Sequence, residues 1–266
     1  LVHFYGASAL NGMVGVGLGF ACAFLLAGAT SGLPSLTPRE WLPCVTQINW
    51  RDLVRRFIPL SLGGGSVIYM MSVDMIVVQR FFNGEQTGYY AAAGMIGRAL
   101  IFFVGPMVMV MFPKIVRSRA EQKPTDVLKL TLLLTAGLCT VAVTLGILVP
   151  QLPLQIIYDD SYLKVTPLVP WFIGAMAPLA LAAVLVNNIL ARGAYSVIYW
   201  LTLLPVLYTG VLWKIAPKIA EQTAGGFNIH AYTSIVQLIG MGNLCFLAAT
   251  VILTWSVYRQ TEAVAR

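Results

Sequence analysis

Two charged residues stand inside long apolar runs. Asp74 lies in the stretch Met70 to Val78, and Arg98 in the stretch Gly94 to Phe103. A charge at the centre of a membrane helix costs about 2.5–3.5 kcal/mol on insertion scales, so such residues pair with one another or line a polar cavity. Asp74 falls about six residues before the outer end of its run, roughly 9 Å deep, and Arg98 about nine residues into the next run, roughly 13 Å deep. Only a short turn separates the two runs, so their helices are antiparallel neighbours, and an arginine side chain covers the difference in depth. The two residues are expected to pair. If the pair only holds the hairpin together, its role is structural. If it lines a cavity, Arg98 would attract a phosphate-bearing anion, because a guanidinium matches phosphate oxygens with two donors. Asp74 would then be a site for coupling to H+ or Na+. Arg80, near the outer end of the first run, is expected to snorkel to the headgroups.

Other reactive types form no constellation. The four cysteines (Cys22, Cys44, Cys139, Cys245) are widely separated, with no CxxC or Cys/His spacing. They read as small buried hydrophobes, not as a disulfide framework or a metal site. His3 and His230 have no second ligand at metal spacing. Asp159 and Asp160, flanked by Tyr158 and Tyr162, read as a solvated turn. With no Ser/His/Asp set and no Gly-rich phosphate loop, enzyme activity and a bound cofactor are not expected. Helix breakers are more informative. Pro59 precedes Gly63, Gly64 and Gly65 in one run, Gly105 and Pro106 interrupt the next, and Pro170 and Pro178 lie in the fourth. A proline removes a helix hydrogen bond and kinks the axis. Small residues also let helices approach closely. Pro59, Gly63, Gly64, Gly65 and Pro106 are therefore candidate hinges or packing points. Asn187, Asn188, Gln237 and Asn243 are expected to form interhelical hydrogen bonds.

The elements that carry these residues follow from composition. Of 266 residues, 58% are hydrophobic and only 10% charged, and the mean hydropathy is +0.80. Soluble domains run near 25% charged, so a water-facing surface cannot be built here, and lipid is the implied solvent. The net charge of +7 does not imply nucleic acid, because the basic residues sit in short connections between apolar runs. About 20 apolar residues cross a bilayer as a helix. Seven windows qualify: Phe4–Gly28, Phe57–Phe81, Tyr89–Phe112, Leu128–Val149, Leu168–Leu190, Val197–Trp213 and Tyr232–Ser256. The runs are continuously apolar, unlike the alternating strands of a barrel. One set of connections carries Arg39, Arg51, Arg55 and Arg56, then Lys114, Arg117, Arg119 and Lys123, then Arg192, then Arg259 and Arg266. The alternate set carries Glu85, then Asp159, Asp160 and Lys164, then Lys214, Lys218 and Glu221. Lys and Arg favour the cytoplasmic side, which places the first set and the C-terminus inside.

Residues 29–56 form the longest polar connection, with Pro34, Pro38 and Pro43 and then the basic amphipathic piece from Asn49 to Arg56. A basic amphipathic segment with a Trp is expected at the headgroup surface. The organisation is therefore all-α and polytopic. Residues 1–28 read as one extra transmembrane helix, the last of a preceding lobe. Residues 29–56 are a cytoplasmic connection with an interfacial helix, residues 57–258 a six-helix transmembrane lobe, and residues 259–266 a cytoplasmic tail. The chain starts at Leu1 within an apolar run, which reads as the later portion of a longer protein.

The stretch Leu53 to Arg119 carries a family resemblance. It has a basic juxtamembrane segment, Pro59 one turn into the helix and Val73-Asp74-Met75 late in it. There follows an outer turn with Gly-Tyr-Tyr-Ala-Ala-Ala (Gly88–Ala93), and a helix ending Met-Phe-Pro (Met111–Pro113) before a basic loop. The piece Ile157 to Tyr162 fits an outer loop before a fourth helix. This pattern resembles a six-helix lobe of the polysaccharide and lipid-linked oligosaccharide flippases, in the superfamily that includes the multidrug and toxic-compound extruders. That family has two such lobes and this chain has one. The resemblance implies a transporter of lipid-linked saccharide in a bacterial-type cytoplasmic membrane, working by alternating access, with a second transmembrane lobe as partner. Arg98 would then meet the lipid diphosphate and Asp74 the coupling ion. The competing expectations are a cation-coupled drug extruder on the same fold, a membrane-embedded polyprenyl-phosphate sugar transferase, and an inactive fragment.

Overall fold

The structure is a computed structural model, and it describes residues 18–19, 21–23, 26, 49–82, 84–121, 126–158, 160–223 and 228–265. The chain divides into two compact units, Leu1–Arg55 and Arg56–Arg266. The expected first span and most of the connection after it lie outside the described residues. Residues 18–19, 21–23 and 26 are helical.

The described residues are helical almost throughout, as continuously apolar runs without strand alternation require. The elements are α1 (Trp50–Phe81), α2 (Gly84–Ala120), α3 (Val127–Leu148), the short α4 (Leu152–Ile157), a 3-10 helix (Asp160–Leu168), α5 (Val169–Ala191), α6 (Tyr195–Glu221) and α7 (Ile229–Ala265). Among the described residues six helices are long and apolar enough to cross a membrane: Leu53–Phe81, Thr87–Ser118, Val127–Leu148, Ser161–Ala191, Tyr195–Glu221 and Ile229–Arg259. They coincide with the six later windows, so the protein is an all-α polytopic membrane protein.

Several helices outrun their apolar windows. α2 has 37 residues, about 55 Å at 1.5 Å per residue, against about 30 Å of hydrocarbon. Its last turns carry Lys114 and Arg117 past the apolar stretch. Once nucleated, a helix gains one hydrogen bond per added residue, so it continues into the polar zone until a breaker stops it. α1 likewise begins at Trp50, inside the basic segment. At the other end α2 begins at Gly84, leaving a turn shorter than the gap between the apolar windows that end at Phe81 and begin at Tyr89.

α5 is the centre of the lobe. It is apolar on every face and has 16 buried residues, as expected of a helix enclosed by protein on all sides. It packs against α2, α3 and α7, while α6 lies against α7 and more lightly against α5. Small residues set the closest approaches. A Cβ on Gly97 would stand 2.9 Å from the backbone carbonyl atoms of Phe172, so α2 and α5 nearly touch backbone to backbone. Gly146 makes room for Ile173 on α5, Gly242 for the ring of Tyr208 on α6, and Gly63 for Leu190. With lipid as apolar as Leu, this close packing and interhelical hydrogen bonding take the place of a hydrophobic drive.

Candidate functional site: a buried charge cluster between α1 and α2

Asp74 and Arg98 meet as their depths predict. Arg98 Nη2 donates to Asp74 Oδ2 at 2.7 Å. Asp74 is fully buried, and the Arg98 side chain is only 13% exposed. Side chains on a helix lean toward its N-terminus. On α2 that direction takes Arg98 back one turn, over Gly94, where an added Cβ would lie 2.9 Å from Nη1. Gly94 therefore leaves the guanidinium its seat. Arg98 Nε donates to the carbonyl of Met71 at 2.8 Å, one turn before Asp74 on α1. That carbonyl has a second lone pair beyond its helical bond, so Arg98 joins both a side chain and the backbone of α1.

Tyr90 completes the cluster. Its hydroxyl donates to the same oxygen, Asp74 Oδ2, at 2.9 Å. Its fully buried ring packs against Phe172 of α5 (centroids 4.9 Å) and Tyr232 of α7 (5.8 Å). Two donors therefore share Oδ2, and they come from residues two turns apart on α2. Oδ1 makes no hydrogen bond, and neither does the buried hydroxyl of Tyr208. Tyr208 packs against the small α1/α6 cluster of Val73, Val77, Leu212 and Ala216, next to Asp74 in sequence. The carboxylate is thus neutralised on one side and bare on the other.

The candidate hinge residues separate by environment. Pro59 is buried and Gly63 abuts Leu190, whereas nothing lies within 4 Å of a Cβ on Gly64, Gly65 or Gly105. Pro106 is exposed. α1 and α2 each run through these positions as one helix. Of the polar residues, Asn243 on α7 donates to Ala175 O on α5 at 2.8 Å, an interhelical bond of the expected kind. Asn187 instead bonds back to Ala183 on its own helix. Asn188 accepts from Arg192 at 3.1 Å, and Gln237 is exposed. Arg192 reaches α7 itself: its guanidinium lies 4.0 Å over the Tyr258 ring and donates to that hydroxyl. Arg80 is exposed with its guanidinium 6.0 Å from the Phe81 ring. Of the cysteines described, Cys139 is buried, but Cys22 and Cys245 are exposed. The expectation of burial fails for these two; at Cys245 the reason is that a spanning helix presents apolar side chains outward as well as inward.

Among the described residues no group of three or more His, Cys, Asp or Glu could hold a metal ion. At the end of the lobe where α2 begins, Tyr158, Tyr162 and Tyr89 pack at 5.0 and 5.4 Å. Burial and the neighbouring Tyr162 push the Tyr158 phenol above its usual pKa. Sequence reasoning missed Tyr90, Tyr208 and Gly94. Only Gly94 left a legible signal, its four-residue spacing from Arg98. No family model, no curated protein and no solved structure matches this chain.

Proposed function

We propose that this chain is a lobe of a membrane transporter that flips lipid-linked saccharide precursors across the cytoplasmic membrane. The observation that carries the reading is the fully buried Asp74 paired at 2.7 Å with Arg98 inside a six-span bundle. A buried ion pair is weak evidence for stability, because apolar replacements of similar volume are often as stable. Intramembrane charges of this kind mark substrate or ion pathways. The resemblance of Leu53–Arg119 to the flippases supplies the substrate class. On this reading Arg98 binds the diphosphate of the lipid carrier by exchanging Asp74 for phosphate oxygens, since both are acceptors for the same planar fork. The Lys and Arg distribution supports a cytoplasmic C-terminus, and a second transmembrane lobe supplies the facing wall.

A second reading, cation coupling at Asp74, is favoured by the bare Oδ1. On a drug extruder of the same fold, that oxygen would serve a cationic substrate or a coupling ion, and Arg98 would be structural.

The deciding experiment uses the full-length gene complementing a flippase-deficient strain. Arg98→Lys keeps the charge and loses the two-donor fork, so partial export of surface polysaccharide is expected. Arg98→Ala should lose nearly all export at equal expression. Normal export by Arg98→Ala would remove the anionic-substrate reading.

A further inference from the structure

The polar groups exposed within the spans are not spread evenly around the lobe. On α1, Ser61, Gly65, Tyr69, Ser72 and Gln79 follow one another at intervals of four, four, three and seven residues, which keeps them on one helical face. Ser61, Gly65, Tyr69 and Gln79 are exposed and Ser72 is half-buried. Near the middle of the span, Tyr69 Oη and Thr209 Oγ1 of α6 share a hydrogen bond at 2.9 Å, so the polar strip extends from α1 onto α6.

Ile68 and Ile76, 62% and 56% exposed, share that face of α1, but the outward faces of α2 and α3 are more uniformly apolar. Phe102, Phe103 and Met109 stand 68%, 69% and 77% exposed on α2, and Leu133 71% exposed on α3. The hydroxyls exposed on α3, Thr140 and Thr144, are each consumed by a carbonyl of their own helix, the form a lipid-facing hydroxyl takes. Gln79 cannot reach back in that way, whereas Tyr69 is satisfied by Thr209, whose hydroxyl in turn donates to the Pro205 carbonyl of its own helix. Hydrocarbon offers no partner for a polar group, and each unsatisfied one costs several kcal/mol.

We infer that the α1/α6 face bearing Ser61, Gly65, Tyr69, Ser72, Gln79 and Thr209 is wetted and contacts the sugar portion of the translocated molecule. The inference rests on the transporter reading and deepens it. Its chemistry suits neutral, hydroxyl-rich ligands: four hydroxyls, of which those of Tyr69 and Thr209 are bonded to each other and Thr209 also to Pro205, one amide that both donates and accepts, an exposed tyrosine ring for the apolar face of a pyranose, and a glycine that leaves space. It carries no formal charge, so it complements a saccharide and not a diphosphate. The anionic head group and the sugar are thereby assigned to different parts of the lobe, the first to Arg98 in the α1/α2 seam, the second to the outward face of α1 and α6.

The test uses the full-length protein in its membrane, with Cys22, Cys44, Cys139 and Cys245 replaced by serine or alanine. Single cysteines are placed by Ser61→Cys, Ser72→Cys and Gln79→Cys, with Phe103→Cys and Leu133→Cys as controls on the apolar faces. A charged, membrane-impermeant thiosulfonate is applied to intact cells and to inverted vesicles. The α1 cysteines should react at least about tenfold faster than both controls from one side or the other, since the reagent and the thiolate both need water. Rates equal to the controls would show the face covered by lipid or by packed protein, and would overturn the inference. This outcome does not depend on Arg98 or on transport, so it is separable from failure of the proposed function. A second arm adds a synthetic farnesyl diphosphate-linked chitobiose, or sugar-free farnesyl diphosphate. Slower labelling of Ser72→Cys by the saccharide conjugate alone supports sugar contact. Equal protection by both compounds assigns the face to the lipid diphosphate, and protection by neither leaves a wetted face that does not bind sugar. Either result overturns the assignment.

Discussion

Two groups of α2 meet the Asp74 carboxyl from one side. Arg98 and Tyr90 donate to Oδ2, and Arg98 also holds the Met71 carbonyl. Removing one member of a buried pair leaves the other uncompensated, which costs about 3–5 kcal/mol, whereas removing both charges can be nearly neutral. Asp74→Asn and Arg98→Gln should therefore each lower the yield of folded, monodisperse protein after detergent extraction, and the double variant should recover part of that loss. Strictly additive losses would mean that the two residues are not coupled. Tyr90 shares the same oxygen, and the sequence offered no reason to choose it over Tyr89. The choice is made by a helical rotation of about 100° per residue, which buries Tyr90 completely and leaves Tyr89 half-buried near Tyr162.

At the scale of helices, glycines decide which surfaces come closest. Gly97 lets α2 approach the backbone of α5 at Phe172, and Gly105, two turns on, faces nothing within 4 Å. Gly97→Ala should destabilise the protein by about 1–3 kcal/mol, the usual cost of forcing extra atoms into a packed seam. Gly105→Ala should be neutral or slightly stabilising, because it restricts the unfolded chain without meeting a neighbour. The midpoint of heat-induced aggregation in detergent would read this. Equal midpoints for the two variants would show that the α2/α5 seam is looser than described. The same contrast sorts the glycine triplet of α1. Gly63 is a packing residue against Leu190, while Gly64 and Gly65 have open space beside them and carry no packing demand. The triplet reads as one unit in sequence, yet each residue faces a different direction on a helix.

At the scale of the whole molecule, the six spans among the described residues return the lobe to the side from which α1 enters. Arg117 at the end of the second span, Arg192 after the fourth and Arg259 at the end of the sixth then fall at one end of the lobe, in keeping with the positive-inside rule. A cysteine at Ser118 should accordingly be shielded from an impermeant thiol reagent in intact cells, and one at Gln86 should be labelled. The reverse pattern would invert the topology. The central position of α5 belongs to this scale too. Its sequence is among the most apolar of the spans and lacks charge until Arg192, but α3 is nearly as apolar and uncharged beyond Lys129, and it lies at the periphery with only five buried residues.

The spans themselves were determined by the sequence. The hydrophobic period and run length needed to cross a bilayer are local properties, and the six later windows recur as helices within a few residues at their apolar ends. Even the pairing of Asp74 with Arg98 was legible, because a hairpin of known turn and helical rise fixes relative depth. What remained undetermined was rotation about each helix axis and the choice of neighbours. In lipid an apolar side chain is equally at home facing the bilayer or the bundle, so hydrophobicity carries no signal for inside and outside. Tertiary packing alone decided that α5 is central, that Gly94 seats Arg98, that Tyr90 and not Tyr89 reaches Asp74, and that the polar residues of α1 face away from the core beside Thr209.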